Sequence, residues 1–200
     1  MIRVAAAVFA IAFAASAHAA GDATKGQEIV GKVCAACHGF DGTAAIPANP
    51  SLAGQHADYI FKQLTEFKSG ARANPVMAGM VANLSTDDMR NVAAYYSAQP
   101  ARAMGARDKD LATKGAKLYR GGNAANGVAA CAGCHSPNGA GIPAQYPRLA
   151  SQHAEYVTAQ LKAFRAGDRA NDANQMMRAT AAKLSDKDIA ALAEYISGLH

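Results

Sequence analysis

Apolar residues recur at helical spacing along most of the chain. Residues 57–69 place Tyr59, Leu64 and Phe67 on one side of a 3.6-residue period, and residues 154–166 repeat this with Tyr156, Leu161 and Phe164. Gly70 and Gly167 follow directly and make good C-terminal stops. Ser85 and Ser185 each precede an acidic residue three positions on, Asp88 and Asp188, a capping-box variant that opens a terminal helix in each half. A further helix is expected before each cysteine pair, around 22–34 and 109–120. No alternation of β-branched residues competes, and the intervening loops are rich in Gly and Pro, as in "HGFDGTAAIPANPS". The pattern predicts an all-α protein. Loops this long in small domains imply that they wrap something.

The pattern is also duplicated. "LAGQHADYIFKQLTEFKSGARAN" (52–74) lies over "LASQHAEYVTAQLKAFRAGDRAN" (149–171) at an offset of 97. After a three-residue insertion the offset becomes 100, and "NLSTDDMRNVAAYYS" (83–97) meets "KLSDKDIAALAEYIS" (183–197). That period is too long for a solenoid repeat, so two homologous domains are expected, residues 20–100 and 110–200. The stretch "QPARAMGARDK" (99–109), with its Pro, Gly and charged residues, marks the boundary and supplies a linker at 101–109. At the N-terminus a short positive start (Met1, Ile2, Arg3), a small apolar run and Ala17-His18-Ala19 have the form of a cleavable signal peptide over residues 1–19. The expectation is export to the periplasm. The apolar run is too short for a comfortable membrane span.

Composition sharpens the question of what the loops enclose. Half of the 200 residues are apolar, yet there is no Trp and much of that half is Ala, which favours helix but adds little core volume. Domains of this size often need a staple or a cofactor. The net charge of +5 is modest and has no basic cluster interleaved with aromatics, which argues against nucleic-acid binding. It is unevenly spread: residues 21–100 carry a net −1 and residues 101–200 a net +5.

All four cysteines lie in two copies of one pattern, "CAACH" (34–38) and "CAGCH" (131–135). A disulfide within C-x-x-C closes a tiny ring and staples little, and a thioredoxin-like site would need a βαβ context that neither half has. Zinc lacks a completing Cys–His set within either domain. Haem satisfies the pattern. Cys34 and Cys37, and Cys131 and Cys134, would each add to the two vinyl groups of a porphyrin, and His38 and His135 would each give a proximal nitrogen to iron. Two covalently bound haem c groups per chain are therefore expected.

Chemistry shared by both halves should use residues that align, and among the methionines only Met77 and Met177 correspond, each eight residues before the capping serine. They are the expected distal ligands. Met89 and Met80 are expected to fill gaps in the core, and Met104 falls in the linker. His56 and His153 also align and leave bis-histidine ligation as an alternative, although a polar residue at the start of an amphipathic helix normally faces solvent.

With these marks the chain resembles the di-haem class I cytochromes c known as cytochromes c4. The resemblance rests on the duplication, the two CxxCH sites, the "P-x-L-A" and "QH" segments, the methionine-to-serine spacing and "RAND" before the second methionine. It implies two tandem cytochrome c-like domains, with haem propionates near the contact between them. It also implies that Pro50 and Pro147, each twelve residues after a haem histidine, offer their carbonyls to the proximal imidazole. A close crossing of first and last helices would be made by Gly26 with Val30 and by Gly115 with Tyr119, facing Tyr95 and Tyr195. The second half departs from the pattern by inserting "RGGNAANGVAA" between helix and cysteines.

Two filled axial positions favour an electron carrier over an enzyme. The resemblance implies a quinol-oxidising complex as donor, a haem–copper terminal oxidase as acceptor, and loose membrane association. The alternatives are the haem subunit of a larger oxidoreductase, for example one oxidising sulfur compounds, and a di-haem peroxidase, which would need a distal site that opens.

Overall fold

A computed structural model describes residues 21–143 and 145–200; the signal-peptide expectation for residues 1–19 lies outside the described residues. The described residues are helical, with only isolated β-bridges. The first half contains α1 (Ala23–Ile29), a π-helical turn (Val30–Cys34), α2 (Ala35–His38), α3 (Ala57–Ser69), α4 (Pro75–Val81) and α5 (Thr86–Ser97). The second contains α6 (Lys109–Gly121), α7 (Ala132–His135), α8 (Ala154–Ala166), α9 (Met176–Ala181) and α10 (Asp186–Ser197).

The periodic segments fold as their spacing dictates. α3 and α8 end at Gly70 and Gly167 with φ of 80° and 84°, a left-handed stop that glycine adopts without strain. Ser85 and Ser185 both form full capping boxes, their hydroxyls accepting from Asp88 and Asp188 N–H. The helix before the first cysteines runs further than its sequence suggested. No proline separates Val30 from His38, and the π turn carries α1 past Gly31 through to the histidine. In the second half the insertion stops α6 at Gly121 and forms a short turn closed by a bridge between Asn123 and Val128.

α1 crosses α5 and α6 crosses α10 at the glycines expected from the resemblance. A Cβ at Gly26 would stand 2.1 Å from the Asn91 carbonyl oxygen, and one at Gly115 would stand 2.0 Å from that of Ala191, with Tyr95 and Tyr195 next in contact. Two apolar clusters form behind these crossings, one per half, and each includes the first cysteine and the aligned methionine of its half at its margin.

One core hydrogen bond is delivered from opposite helices in the two halves. Tyr96 on α5 donates to the Gly39 carbonyl at 3.1 Å, whereas Tyr119 on α6 donates to the equivalent Ser136 carbonyl at 2.8 Å. The partner positions hold Val30 and Ile196, so each core receives one tyrosine and one aliphatic residue, all of them buried. Both hydroxyls fix the backbone that follows the CxxCH histidine. Tyr96→Phe and Tyr119→Phe are each expected to lower stability by about 1–2 kcal/mol, the cost of a buried carbonyl losing its donor. Urea unfolding of the haem-loaded protein measures this; a change near zero in both would show that the bonds contribute nothing.

The halves meet through a polar, repeat-symmetric contact. Gln55 donates to the Arg148 carbonyl and accepts from its N–H, both at 2.9 Å, and Gln152 does the same to Ser51, also at 2.9 Å. Beside these clamps the buried Arg72 donates to Tyr156 and Gln160, while the buried Arg169 donates to Tyr59 and Gln63. Burial alone would raise the Tyr59 hydroxyl pKa, but Arg169 and Arg72 outweigh it and hold it below the ordinary range. The segment between the halves packs rather than dangles. Met104 N–H donates to Ser151, Asp108 N–H donates to Glu194, and Arg107 pairs with Glu155 at 3.0 Å.

Candidate functional site

Each CxxCH pattern folds as one helical turn. Cys34 caps α2 and Cys131 caps α7, so the two thiols at i and i+3 and the histidine at i+4 share one face. All four thiols are unpaired. Burial pushes the Cys34 and Cys131 thiols up to about 11, while Cys37 and Cys134 are exposed. A buried, protonated thiol is the opposite of the ionised nucleophile of a dithiol redox site. Among the described residues no group of three or more His, Cys, Asp or Glu side chains is arranged to hold a metal ion.

His38 and His135 are buried, and their Nδ1 atoms lie 2.9 Å from the Pro50 carbonyl oxygen and 3.0 Å from that of Pro147. A carbonyl only accepts, so Nδ1 carries the proton and Nε2 keeps its lone pair. Burial lowers the pKa of both rings more than the carbonyl bond raises it, which keeps them neutral near pH 7. The result in each half is a neutral imidazole, locked in one tautomer and beside two thiols.

The expected distal residues differ sharply from the other methionines. Met77 and Met177 are half-buried and pack on the same apolar cluster as Cys34 and Cys131 respectively. Met89 is 3% exposed in the core, as expected of a gap filler, but Met80 is 47% exposed, contrary to the core role expected for it. Met176 is 40% exposed, with its sulfur accepting from the Tyr146 hydroxyl at 3.7 Å.

The helical turns carrying Met77 and Met177 are anchored in different ways. Asn74 caps α4 by accepting from Met77 N–H at 3.0 Å. In the second half the insertion is absorbed by Asn174 and Gln175 at φ of 52° and 58°, and Asp172 grips Arg178 at 2.7 Å. Burial would raise the Asp172 carboxyl, but the hydrogen bonds from Arg178 overcome it and hold the pKa below the usual carboxylate range.

His56 and His153 do not face solvent as a helix-start reading predicts. His153 turns into the contact between the halves, where its Nε2 lies 2.8 Å from the Ala44 carbonyl oxygen, and His56 Nε2 is buried without a partner. Arg148 Nε is likewise buried with no acceptor. Orphaned donors are rare in folded proteins and signal a missing group. The donor set fits haem: two thiols and one lone-pair imidazole nitrogen per half, with unsatisfied cationic or polar nitrogens at the junction where haem carboxylates would lie.

Comparison with known proteins agrees with this geometry. A family model described as "Cytochrome c" matches residues 23–98 and again 112–200. The chain is 51% identical to "Cytochrome c4" of Azotobacter vinelandii over 92% of each chain. It is 42% identical to a "Thiosulfate dehydrogenase electron acceptor" of Stutzerimonas stutzeri, over 83% of this chain and 78% of that protein. The fold superposes on the crystal structure of reduced recombinant cytochrome c4 from Pseudomonas stutzeri with a TM-score of 0.87 at 47% identity, over 90% of this chain and 100% of the other. The chain therefore belongs to the cytochrome c family and, within it, to the di-haem cytochromes c4, electron-transfer proteins with two covalently bound haem c groups.

Proposed function

We propose that this protein is a periplasmic carrier that takes up and releases one electron at each of two His/Met-ligated irons. When bound, each haem supplies an iron that changes oxidation state by one electron. Cys34, Cys37, Cys131 and Cys134 hold the two groups covalently. His38 and His135 are the proximal ligands, oriented by Pro50 and Pro147, a bond that also raises the basicity of the ring. Met77 and Met177 close the distal side. The observation that carries this reading is the pairing of each aligned methionine with its half's cysteine on one apolar cluster, while Met80 and Met176 lie exposed.

Methionine ligation raises the potential relative to stronger donors. The buried His38 and His135, each held by a proline carbonyl, would also keep reorganisation small when the charge changes. The donor is a quinol-oxidising complex and the acceptor a haem–copper terminal oxidase, reached after export directed by residues 1–19. No helix among the described residues is long and apolar enough to cross a membrane. Association with the membrane would therefore run through these partners or through the basic second half.

A second reading is favoured by the similarity to the electron acceptor of thiosulfate dehydrogenase and to a structure of thiosulfate dehydrogenase from Marichromatium purpuratum, at 32% identity and a TM-score of 0.80 over 87% of this chain and 39% of that one. The same carrier would then drain a sulfur-oxidising enzyme.

Stopped-flow mixing tests the carrier reading. Rapid reduction and reoxidation by small redox partners is expected, with negligible peroxide turnover; sustained peroxidase turnover would overturn it. Charge reversal of Lys or Arg in the second half is expected to slow association with an acidic partner severalfold more than equal changes in the first. The difference should shrink at high salt as surface charge is screened. Equal sensitivity of the halves at every ionic strength would remove the case for directed docking.

A further inference from the structure

The two halves differ at a matched pair of positions beside the site. Tyr146 precedes Pro147 where Asn49 precedes Pro50, and Met176 precedes Met177 where Val76 precedes Met77. In the second half these two side chains meet, the Tyr146 hydroxyl donating to the Met176 sulfur at 3.7 Å. In the first half Asn49 turns back and donates to the Cys37 carbonyl at 3.1 Å, and Val76 is 66% exposed. The contact therefore belongs to one half alone.

Tyr146 is held in place for it. Its N–H and carbonyl both bond to Ile142, at 2.9 and 3.0 Å. Its ring stands edge-on to His135, with centroids 6.0 Å apart at an angle of 76°, within the range in which aromatic pairs attract. One side chain thus touches both the expected proximal histidine and the neighbour of the expected distal methionine. Met176 in turn needs a hold. It follows Asn174 and Gln175, whose φ of 52° and 58° put them in a left-handed backbone that residues with a Cβ adopt at a cost. Such a turn persists only when its surroundings fix it. Asp172 grips Arg178 on one side of Met177, and Tyr146 grips Met176 on the other.

We propose that Tyr146 is a positioning residue for the second iron: through Met176 it holds Met177 in place, so that Met177 yields to an outside ligand less readily than Met77. The proposal rests on the carrier reading above, in which His135 and Met177 take opposite faces of one haem. Tyr146 then ties the proximal segment to the distal one, and Met177 must move against that clasp to leave. Met77 has no such tie and depends on the Asn74 cap. The second iron is therefore the more closed of the two to small ligands.

Imidazole binding to the oxidised, haem-loaded protein tests this, followed in stopped flow by loss of the methionine–iron charge-transfer band. The exchange swaps one neutral donor for another, an iron–sulfur bond breaking as an iron–nitrogen bond forms. Met77→Ala leaves only the second half's band and Met177→Ala only the first half's, so each rate is read alone in these backgrounds. Met77 is expected to exchange faster than Met177. Tyr146→Phe keeps the ring beside His135 and removes the hydroxyl. It should speed exchange of Met177 roughly two- to fivefold, as loss of one modest hydrogen bond does, and leave Met77 unchanged. Met176→Val, which installs the residue type of the first half, should match it, and the double variant should be no faster than either. Equal rates in the two halves, an unmoved Met177 rate in both single variants, additive effects in the double variant, or equal acceleration of Met77 would each overturn the proposal. So would a lowered urea midpoint in Tyr146→Phe with an unmoved exchange rate, which would make the contact one of stability alone. If Tyr146→Phe fails to load haem, Met176→Val decides the matter. A wild type without any methionine–iron band would sink the carrier reading; a normal band with unmoved rates would sink only this assignment.

Discussion

Met77→Ala is expected to open one iron of the pair to carbon monoxide, remove half of the methionine–iron charge-transfer band and lower that haem's potential. Met177→Ala should do the same at the other. The expected drop is at least tenfold in the one-electron equilibrium, about 59 mV or more, because a thioether that stabilises the ferrous state is replaced by water or nothing. The prediction is specific because the other methionines are placed so differently. Met80 and Met176 are exposed, and Met89 is buried in the first core. Met80→Ala and Met176→Ala should therefore leave the band intact, and Met89→Ala should cost stability as a core truncation does, about 2–5 kcal/mol, without opening an iron. The two turns should also differ in robustness. Met77 depends on a single Asn74 cap, whereas Met177 sits between the Asp172–Arg178 pair and two left-handed residues. The absorption band and carbon monoxide binding check every part of this. A band halved by Met80→Ala or Met176→Ala, but not by Met77→Ala or Met177→Ala, would reassign the ligands.

Much of this arrangement was legible because the chain contains its own comparison. Two copies at a fixed offset exposed Met77 and Met177 as a pair, and α3 and α8 fall where the Tyr, Leu and Phe spacing and the two glycines put them. Local rules sufficed there because each signal acts within one or two turns. The extension of the first helix to His38 was not legible, since a π turn has no sequence signature and depends on where the cysteine pair must be delivered. The tyrosine exchange between Tyr96 and Tyr119 was hidden for a related reason: the two residues do not align, and only the crossing of the helices makes them equivalent.

The contact between the halves was missed although its signal was present. Gln55, Tyr59, Gln63 and Arg72 recur as Gln152, Tyr156, Gln160 and Arg169, identical polar residues kept in both copies on helices that already had an apolar face. Polar residues on an amphipathic helix read as a solvated face, which is why His56 and His153 were expected at the surface. The identity of residue type at matched positions is the stronger cue. A solvated face has no reason to keep glutamine and arginine in register, whereas a two-fold contact requires it. The linker illustrates the same limit, for its Gly and charged residues look flexible while Met104, Arg107 and Asp108 are bonded to the second half.

The other large effect is expected at the helix crossings. A glycine inside an exposed helix is normally improved by alanine, which gains about 0.5–1 kcal/mol by restricting the unfolded chain. Gly79 in α4 is such a site: nothing lies within 4 Å of a Cβ built there, and Gly79→Ala should follow the rule. Gly26 and Gly115 should reverse it. Their added Cβ atoms would meet the carbonyl oxygens of Asn91 and Ala191 at 2.1 and 2.0 Å, and the Cβ atoms of Tyr95 and Tyr195 at 2.9 and 2.6 Å. Backbone cannot swing aside as a flexible side chain does, so α1 must separate from α5, and α6 from α10, by about an ångström before either alanine fits. That movement loosens the aromatic packing behind the crossing, including the Tyr119–Tyr195 pair at 5.3 Å, and with it the wall against which the CxxCH turn rests. Gly26→Ala and Gly115→Ala are each expected to lower stability by about 3 kcal/mol, the upper end for overpacking. The covalent haem should remain attached while the methionine–iron band weakens in the affected half, because thioether bonds survive a loosened core and a positioned thioether sulfur does not. Denaturant unfolding followed by the haem absorption, with Gly79→Ala as the opposite-sign control, measures both. If Gly115→Ala were as stable as wild type to within about 0.5 kcal/mol, the close crossing would not be what joins first and last helix in this fold.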